Sequence, residues 1–183
     1  MADDVTAEDW ITLGVALLQR EGPASLDVES LCDRLGCGPQ EFLRHFPDKG
    51  AFAAAVARHW ADAGEAAARA ARKGRKPAER LLAMLALTVE ADVALERGVR
   101  ALAADHDEVA ELVRAADDRH ELILTTDLAA VYGLQGDEAQ EFGRVLHALH
   151  VAAMTRPANE AKTWGAGPAR AVTALLGSNF PIE

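Results

Sequence analysis

Cysteine is scarce in this 183-residue chain: Cys32 and Cys37 are the only two, too few for a secreted disulfide scaffold. No apolar run approaches the ~20 residues a helix needs to cross a bilayer. The acidic start, Met1-Ala-Asp-Asp-Val-Thr-Ala-Glu-Asp9, lacks the basic and apolar parts of a signal peptide. The expectation is therefore a cytoplasmic protein with no membrane partner. Aromatic residues make up only 5%, and no useful stretch alternates apolar and polar with period two, so no strand is expected. Catalytic signatures are missing as well. There is no Gly-x-Ser-x-Gly, no glycine run to cradle a phosphate and no His-Glu-x-x-His, so neither an enzyme nor a cofactor is expected. Positive charge is in deficit, 19 Lys+Arg against 29 Asp+Glu for a net charge of −10, which works against non-specific attraction to nucleic acid.

What the chain has in excess is alanine, 39 residues of it, within a composition that is 50% apolar. Alanine is the best intrinsic helix former, and the apolar half suffices for a sizeable core. An all-α chain of about nine helices follows. Trp10, Leu13, Leu17 and Leu18 mark the first, which Gly22-Pro23 stops. Asp27 is placed to cap a short second helix carrying Val28, Leu31 and Leu35. Gly36-Cys37-Gly38 breaks it, and Pro39 suits the first position of a short third helix with Phe42, Leu43 and Phe46 on its apolar side. A long fourth helix runs from Lys49 to about Arg72. A fifth starts at Pro77 with Leu81, Met84, Leu85 and Thr88 in step, and a sixth is expected around Gly98–Ala104. The Asp-His-Asp-Glu run at 105–108 suits a helix start, and Asp107 opens a seventh. An eighth carries Phe142, Val145, Leu146, Leu149 and Ala153, and a ninth is expected from Pro168 to Leu176.

Residues 10–60 carry the functional signal. Two short helices joined by a glycine-containing turn, packed under a longer one, form a helix-turn-helix unit. Gly36 tolerates the positive φ of a tight turn, and Cys37 is small enough to pack inward. The third helix then presents Gln40, Glu41, Arg44 and His45 outward, where side chains can reach base edges in a major groove. The stretch Leu26-Asp-Val-Glu-Ser-Leu-Cys-Asp-Arg-Leu-Gly-Cys-Gly-Pro-Gln-Glu-Phe-Leu-Arg-His-Phe-Pro-Asp-Lys49 resembles the helix-turn-helix of TetR-family transcriptional regulators. Gly36, Phe42, His45, Phe46, Pro47, Asp48, Lys49 and Phe52 stand where that pattern expects them.

The resemblance implies a division into a three-helix DNA-binding head, residues 1–48, and a helical ligand-binding and dimerisation domain, residues 49–183, with the fourth helix as connector. It implies a homodimeric regulator, read as a repressor, that binds palindromic duplex DNA and is released by a small-molecule effector. Residues 39–45 become the recognition helix. Gln40 can pair bidentately with adenine and Arg44 with guanine, and Lys49 matches the family's phosphate-contacting lysine. Three positions depart from the pattern. Gly38 replaces the usual Ser or Thr cap, Leu43 stands where a backbone-touching tyrosine is common, and Glu41 brings negative charge to the reading face. Residues 1–60 hold five basic and ten acidic side chains, and without residues 1–9 the balance is −1. Since phosphate neutralisation dominates DNA affinity, the second reading is a TetR-type fold whose acidic head meets a ligand or protein partner instead of DNA. The densest basic cluster, Arg69, Arg72, Lys73, Arg75 and Lys76, is read as a solvated corner at the end of the fourth helix that points away from DNA.

In the second half, Met84, Thr88, Leu102, His120, Leu124 and His147 are candidates to line an effector pocket, mostly apolar with a few polar groups. Phe142, Leu146, Leu149 and Ala153, with Val172, Leu175 and Leu176, form two neighbouring apolar stripes suited to a four-helix dimer interface. His147 and His150 lie three residues apart, with His120 available from the seventh helix. A zinc site would need them to converge with a further ligand; they are read as separate surface and pocket-wall histidines, and no metal is expected. Cys32 and Cys37 are read as small buried hydrophobes.

Overall fold

The computed structural model describes residues 5–155, which form eight α-helices, one 3-10 turn and no strand. The helices are α1 (Ala7–Glu21), α2 (Val28–Leu35), α3 (Pro39–His45), α4 (Lys49–Arg72), α5 (Pro77–Glu90), α6 (Val93–Leu102), α7 (Asp107–Tyr132) and α8 (Gly136–Thr155). Their ends carry the expected chemistry. Thr6 and Asp9 form a reciprocal capping box at α1: the Asp9 amide donates to Thr6 Oγ1 at 3.3 Å, and the Thr6 amide to Asp9 Oδ2 at 2.8 Å. The Thr6 hydroxyl, which donates to Asp9 Oδ2 at 2.6 Å, and then the Thr6 amide hold the Asp9 carboxyl below its ordinary pKa. The box is therefore complete above the carboxylate range and is lost as pH falls through it. Asp27 caps α2 by accepting from the Ser30 amide at 3.3 Å. Gly36 ends α2 with φ +67°, a left-handed conformation that a β-carbon would strain.

The chain folds as two compact units. Of the described residues, one takes 5–63 together with Ala94–Arg114; the other takes Gly64–Val93 and 115–155. The first half of α4 buries Phe52 and Val56 in the same core as α1–α3, so it belongs to the first unit.

The first unit's core joins Trp10, Leu17 and Leu18 of α1, Leu31 of α2, Phe42 of α3 and Phe46 just after it. Val99 and Leu102 of α6 and Val109 of α7 complete it. Gly14 permits close approach of α1 to α4: a β-carbon there would lie 2.7 Å from Phe52 Cζ and 2.9 Å from Val56 Cγ2. Trp60 Nε1 donates to buried Glu96 at 2.8 Å, and Arg100 Nε donates to the other Glu96 oxygen at 2.8 Å, so the carboxylate is paired rather than orphaned. The sixth helix begins at Val93, not near Gly98. Gly98 lies inside it, where a β-carbon would stand 3.3 Å from Leu18, so this glycine serves helix packing instead of breaking the helix.

The second unit's core comprises Ala68, Leu81, Met84, Leu124, Leu128, Leu134, Ala139 and Leu146. Within it Asp127 is fully buried. It accepts a bidentate pair from Arg72, Nε to Oδ2 and Nη2 to Oδ1, each at 3.0 Å, and a third bond from Arg80 Nε at 2.8 Å. Arg72 thus leaves the solvated basic corner expected at the end of α4; it is an internal brace tying α4 to α7. The ninth helix expected over Pro168–Leu176 lies outside the described residues.

Candidate nucleic-acid interface

A seven-residue helix has too few hydrogen bonds to hold itself in water, so α3 depends on what it packs against. Its anchor is Phe42, fully buried. The Phe42 ring stands edge-on to Trp10 at 5.3 Å and to Phe52 at 5.5 Å, with Phe46 at 5.5 Å and tilted. Four of the chain's nine aromatic residues, Trp10, Phe42, Phe46 and Phe52, therefore gather in this one cluster. Pro39 pre-sets its first turn, and Gly38 supplies no side-chain cap, as the sequence implies.

With Phe42 inward, Gln40, Leu43 and Arg44 are exposed, Leu43 by 56%, and Glu41 and His45 are half-buried. The exposed face is not electrostatically open. Arg44 Nη1 donates to Glu41 Oε2 at 2.9 Å along the same face, so the helix's one arginine is already paired. His45 Nε2 lies 2.9 Å from the Val5 carbonyl, which can only accept. His45 is therefore protonated on that nitrogen and ties the segment before α1 to the end of α3. Sequence reasoning placed His45 among the DNA-facing residues and gave no sign of this tether, because a contact across 40 positions leaves no local pattern.

At the start of α4, Lys49 is exposed. Asp48 Oδ1 accepts from the Ala51 amide at 2.8 Å, so one of the helix-end amides that could hold a phosphate is already bound to a carboxylate. Cys32 on α2 and Cys37 in the turn after it are both free thiols. Burial and the neighbouring Cys37 push the Cys32 thiol above its ordinary pKa, keeping it protonated and unreactive.

The second unit assembles five of the six candidate pocket residues. Met84 and Leu124 belong to its core, Thr88 hydrogen-bonds His150, and His120 contacts His147. Leu102 is instead buried in the core of the first unit. Of the candidate dimer residues, Phe142 and Ala153 are half-buried and Leu146 is turned into its own unit's core. Leu149 is 36% exposed and its neighbour Val145 57%. Val172, Leu175 and Leu176 lie outside the described residues.

No family model matches the sequence, and no curated protein matches it. Solved structures do match. A transcriptional regulator from Rhodococcus sp. Rha1 aligns over 98% of this chain and 100% of its own at 20% identity, with a TM-score of 0.78. A protein of Saccharomonospora viridis, described as a transcriptional regulator and crystallised with choline, covers 81% of this chain and 82% of its own at 16% identity, TM-score 0.72. A TetR-family transcriptional regulator from Agrobacterium tumefaciens covers 89% and 94% at 18% identity, TM-score 0.68. The chain has the all-α fold of TetR-type regulators.

Proposed function

We propose that this protein is a homodimeric transcriptional regulator, acting as a repressor, whose α3 reads palindromic duplex DNA and whose second unit takes a small effector. The observation that carries the reading is the seating of α3. An aromatic cluster fixes a helix too short to stand alone, with Gln40, Leu43 and Arg44 outward and Lys49 at the next helix start. Gln40 and Arg44 have the donor patterns for adenine and guanine, Leu43 has the apolar surface for a thymine methyl, and Lys49 has the charge for a phosphate. Glu41 and His45 flank this face, Glu41 restraining Arg44 and His45 bracing the helix. No helix among the described residues is long and apolar enough to cross a membrane. The choline-bound neighbour supports a small-molecule effector by analogy of fold.

Selection of bound duplexes from a random pool tests this reading. A palindromic winner is expected, because two heads related by a two-fold axis present their helices to successive major grooves. Absence of enrichment at low salt would overturn it. On the selected duplex, Arg44→Ala should weaken binding by about 1–3 kcal/mol and relax one base preference. Glu41→Gln, which frees Arg44 and removes a negative charge from the face, should strengthen binding to every duplex. Unchanged affinity in both would remove the pair from the interface. For the dimer, Leu149→Asp, placing charge on an exposed apolar site of α8, should shift sedimentation from dimer to monomer; an unaltered dimer would locate the interface elsewhere.

The Glu41–Arg44 pair also favours the second reading, a head of this fold that meets a ligand or protein partner. An internally neutralised helix releases few counterions on a polyanion. The same selection distinguishes the two.

A further inference from the structure

The sequence read His120, His147 and His150 as separate histidines, but in the second unit they are one cluster. His120 on α7 and His147 on α8 bring their Nδ1 atoms to 3.3 Å. The His150 ring centre stands 4.5 Å from that of His120 and 6.1 Å from that of His147. Two imidazole nitrogens bound to one tetrahedral zinc at about 2.0–2.1 Å lie about 3.3–3.4 Å apart, the separation seen between the two Nδ1 atoms. The outer nitrogens of His147 and His150 are also placed as metal-binding histidines require. His147 Nε2 lies 3.5 Å from Asp117 Oδ1, a carboxylate one turn from His120 on α7. His150 Nδ1 lies 3.1 Å from Thr88 Oγ1, and that hydroxyl donates to the Met84 carbonyl at 3.3 Å, so it accepts from His150. Such partners fix the tautomer and orient the ring, so that the opposite nitrogen is the one offered to a metal.

We propose that His120, His147 and His150 form a binding site for a divalent transition metal of the zinc class, with Asp117 and Thr88 as its orienting partners. Among the described residues no three His, Cys, Asp or Glu side chains already converge on one metal position. Two nitrogens are set at the tetrahedral edge, and a small inward shift of the adjacent His150 side chain, its Nδ1 kept on Thr88, supplies the third through Nε2. Imidazole nitrogens select this class over calcium or magnesium, which prefer oxygen. Three imidazoles leave a fourth position for water or a donor atom of a small ligand.

The test is titration of the full chain with Co²⁺, a coloured stand-in for Zn²⁺, followed by displacement with Zn²⁺. One equivalent should bind with the visible absorption of four-coordinate cobalt, and Zn²⁺ should abolish the signal. His147→Ala and His120→Ala should each remove it, with far-ultraviolet circular dichroism confirming retained helix. Asp117→Asn, which leaves all three histidines in place, should weaken binding about 10–100-fold. His59→Ala, an exposed histidine of the other unit, should change nothing. Three results would overturn the site: no saturable binding by folded protein, binding that survives the His120→Ala/His147→Ala double variant, or a near-ultraviolet thiolate-to-cobalt band placing the metal on Cys32 and Cys37. The inference is independent of the DNA reading, since the metal is observed directly.

Discussion

Phe42→Ala should cost the first unit about 3–5 kcal/mol, the range for truncating a fully buried phenylalanine. On the proposed function it should also abolish DNA binding, although residue 42 faces away from the groove. Phe42 touches Trp10, Phe46 and Phe52 at once, so its loss removes the common contact of three rings. Because α3 has only seven residues, little else holds it at a defined angle. Urea unfolding checks the stability and anisotropy the binding. Phe42→Leu, which keeps most of the volume, should recover much of both. A loss under about 1 kcal/mol would mean that the cluster is loosely packed, and the account of how α3 is held would be wrong.

Asp127→Ala should destabilise the second unit by about 3–5 kcal/mol, the usual effect of removing one partner from a buried ion pair. The carboxylate has no exposure and receives three hydrogen bonds, so its removal strands two arginines that are only about a quarter exposed, 24% for Arg72 and 28% for Arg80. Asp127→Asn keeps the shape and some acceptor capacity without the charge, and should fall between wild type and alanine. Differential scanning calorimetry measures both. If alanine and wild type unfolded together, the triad would be a surface ion pair in effect, worth about 0–1 kcal/mol.

Much of this was legible in the sequence, where the signal is local. The cap at Asp27, the left-handed turn at Gly36, Pro39 at the start of α3 and the junction at Lys49 each depend on residues within a few positions of one another. So does the apolar stripe that buries Phe42 while leaving Gln40 and Arg44 outward. The rest depends on distant pairings. Arg72 and Asp127 are separated by 55 positions, and nothing near Arg72 distinguishes it from its solvated neighbours. Asp127 itself carries a readable signal, an acid three residues after Leu124 and so on the same buried side of α7. Gly98 was read as a boundary because glycine breaks helices more often than it packs them; only the nearness of Leu18 shows its purpose. The histidine cluster combined a readable part, the three-residue spacing on α8, with an unreadable one, the register of α7 against α8.

The most direct test of the central claim is fluorescence anisotropy of the selected duplex against a scrambled one, at two salt concentrations. The account predicts saturable binding, preference for the selected duplex by a factor on the order of 10³ or more, and a decline with salt no steeper than a few phosphate contacts produce, since Lys49 is the main exposed cation at the face. Equal affinity for both duplexes, or no binding to either at the lower salt, would contradict it and leave α3 as the surface for a different partner.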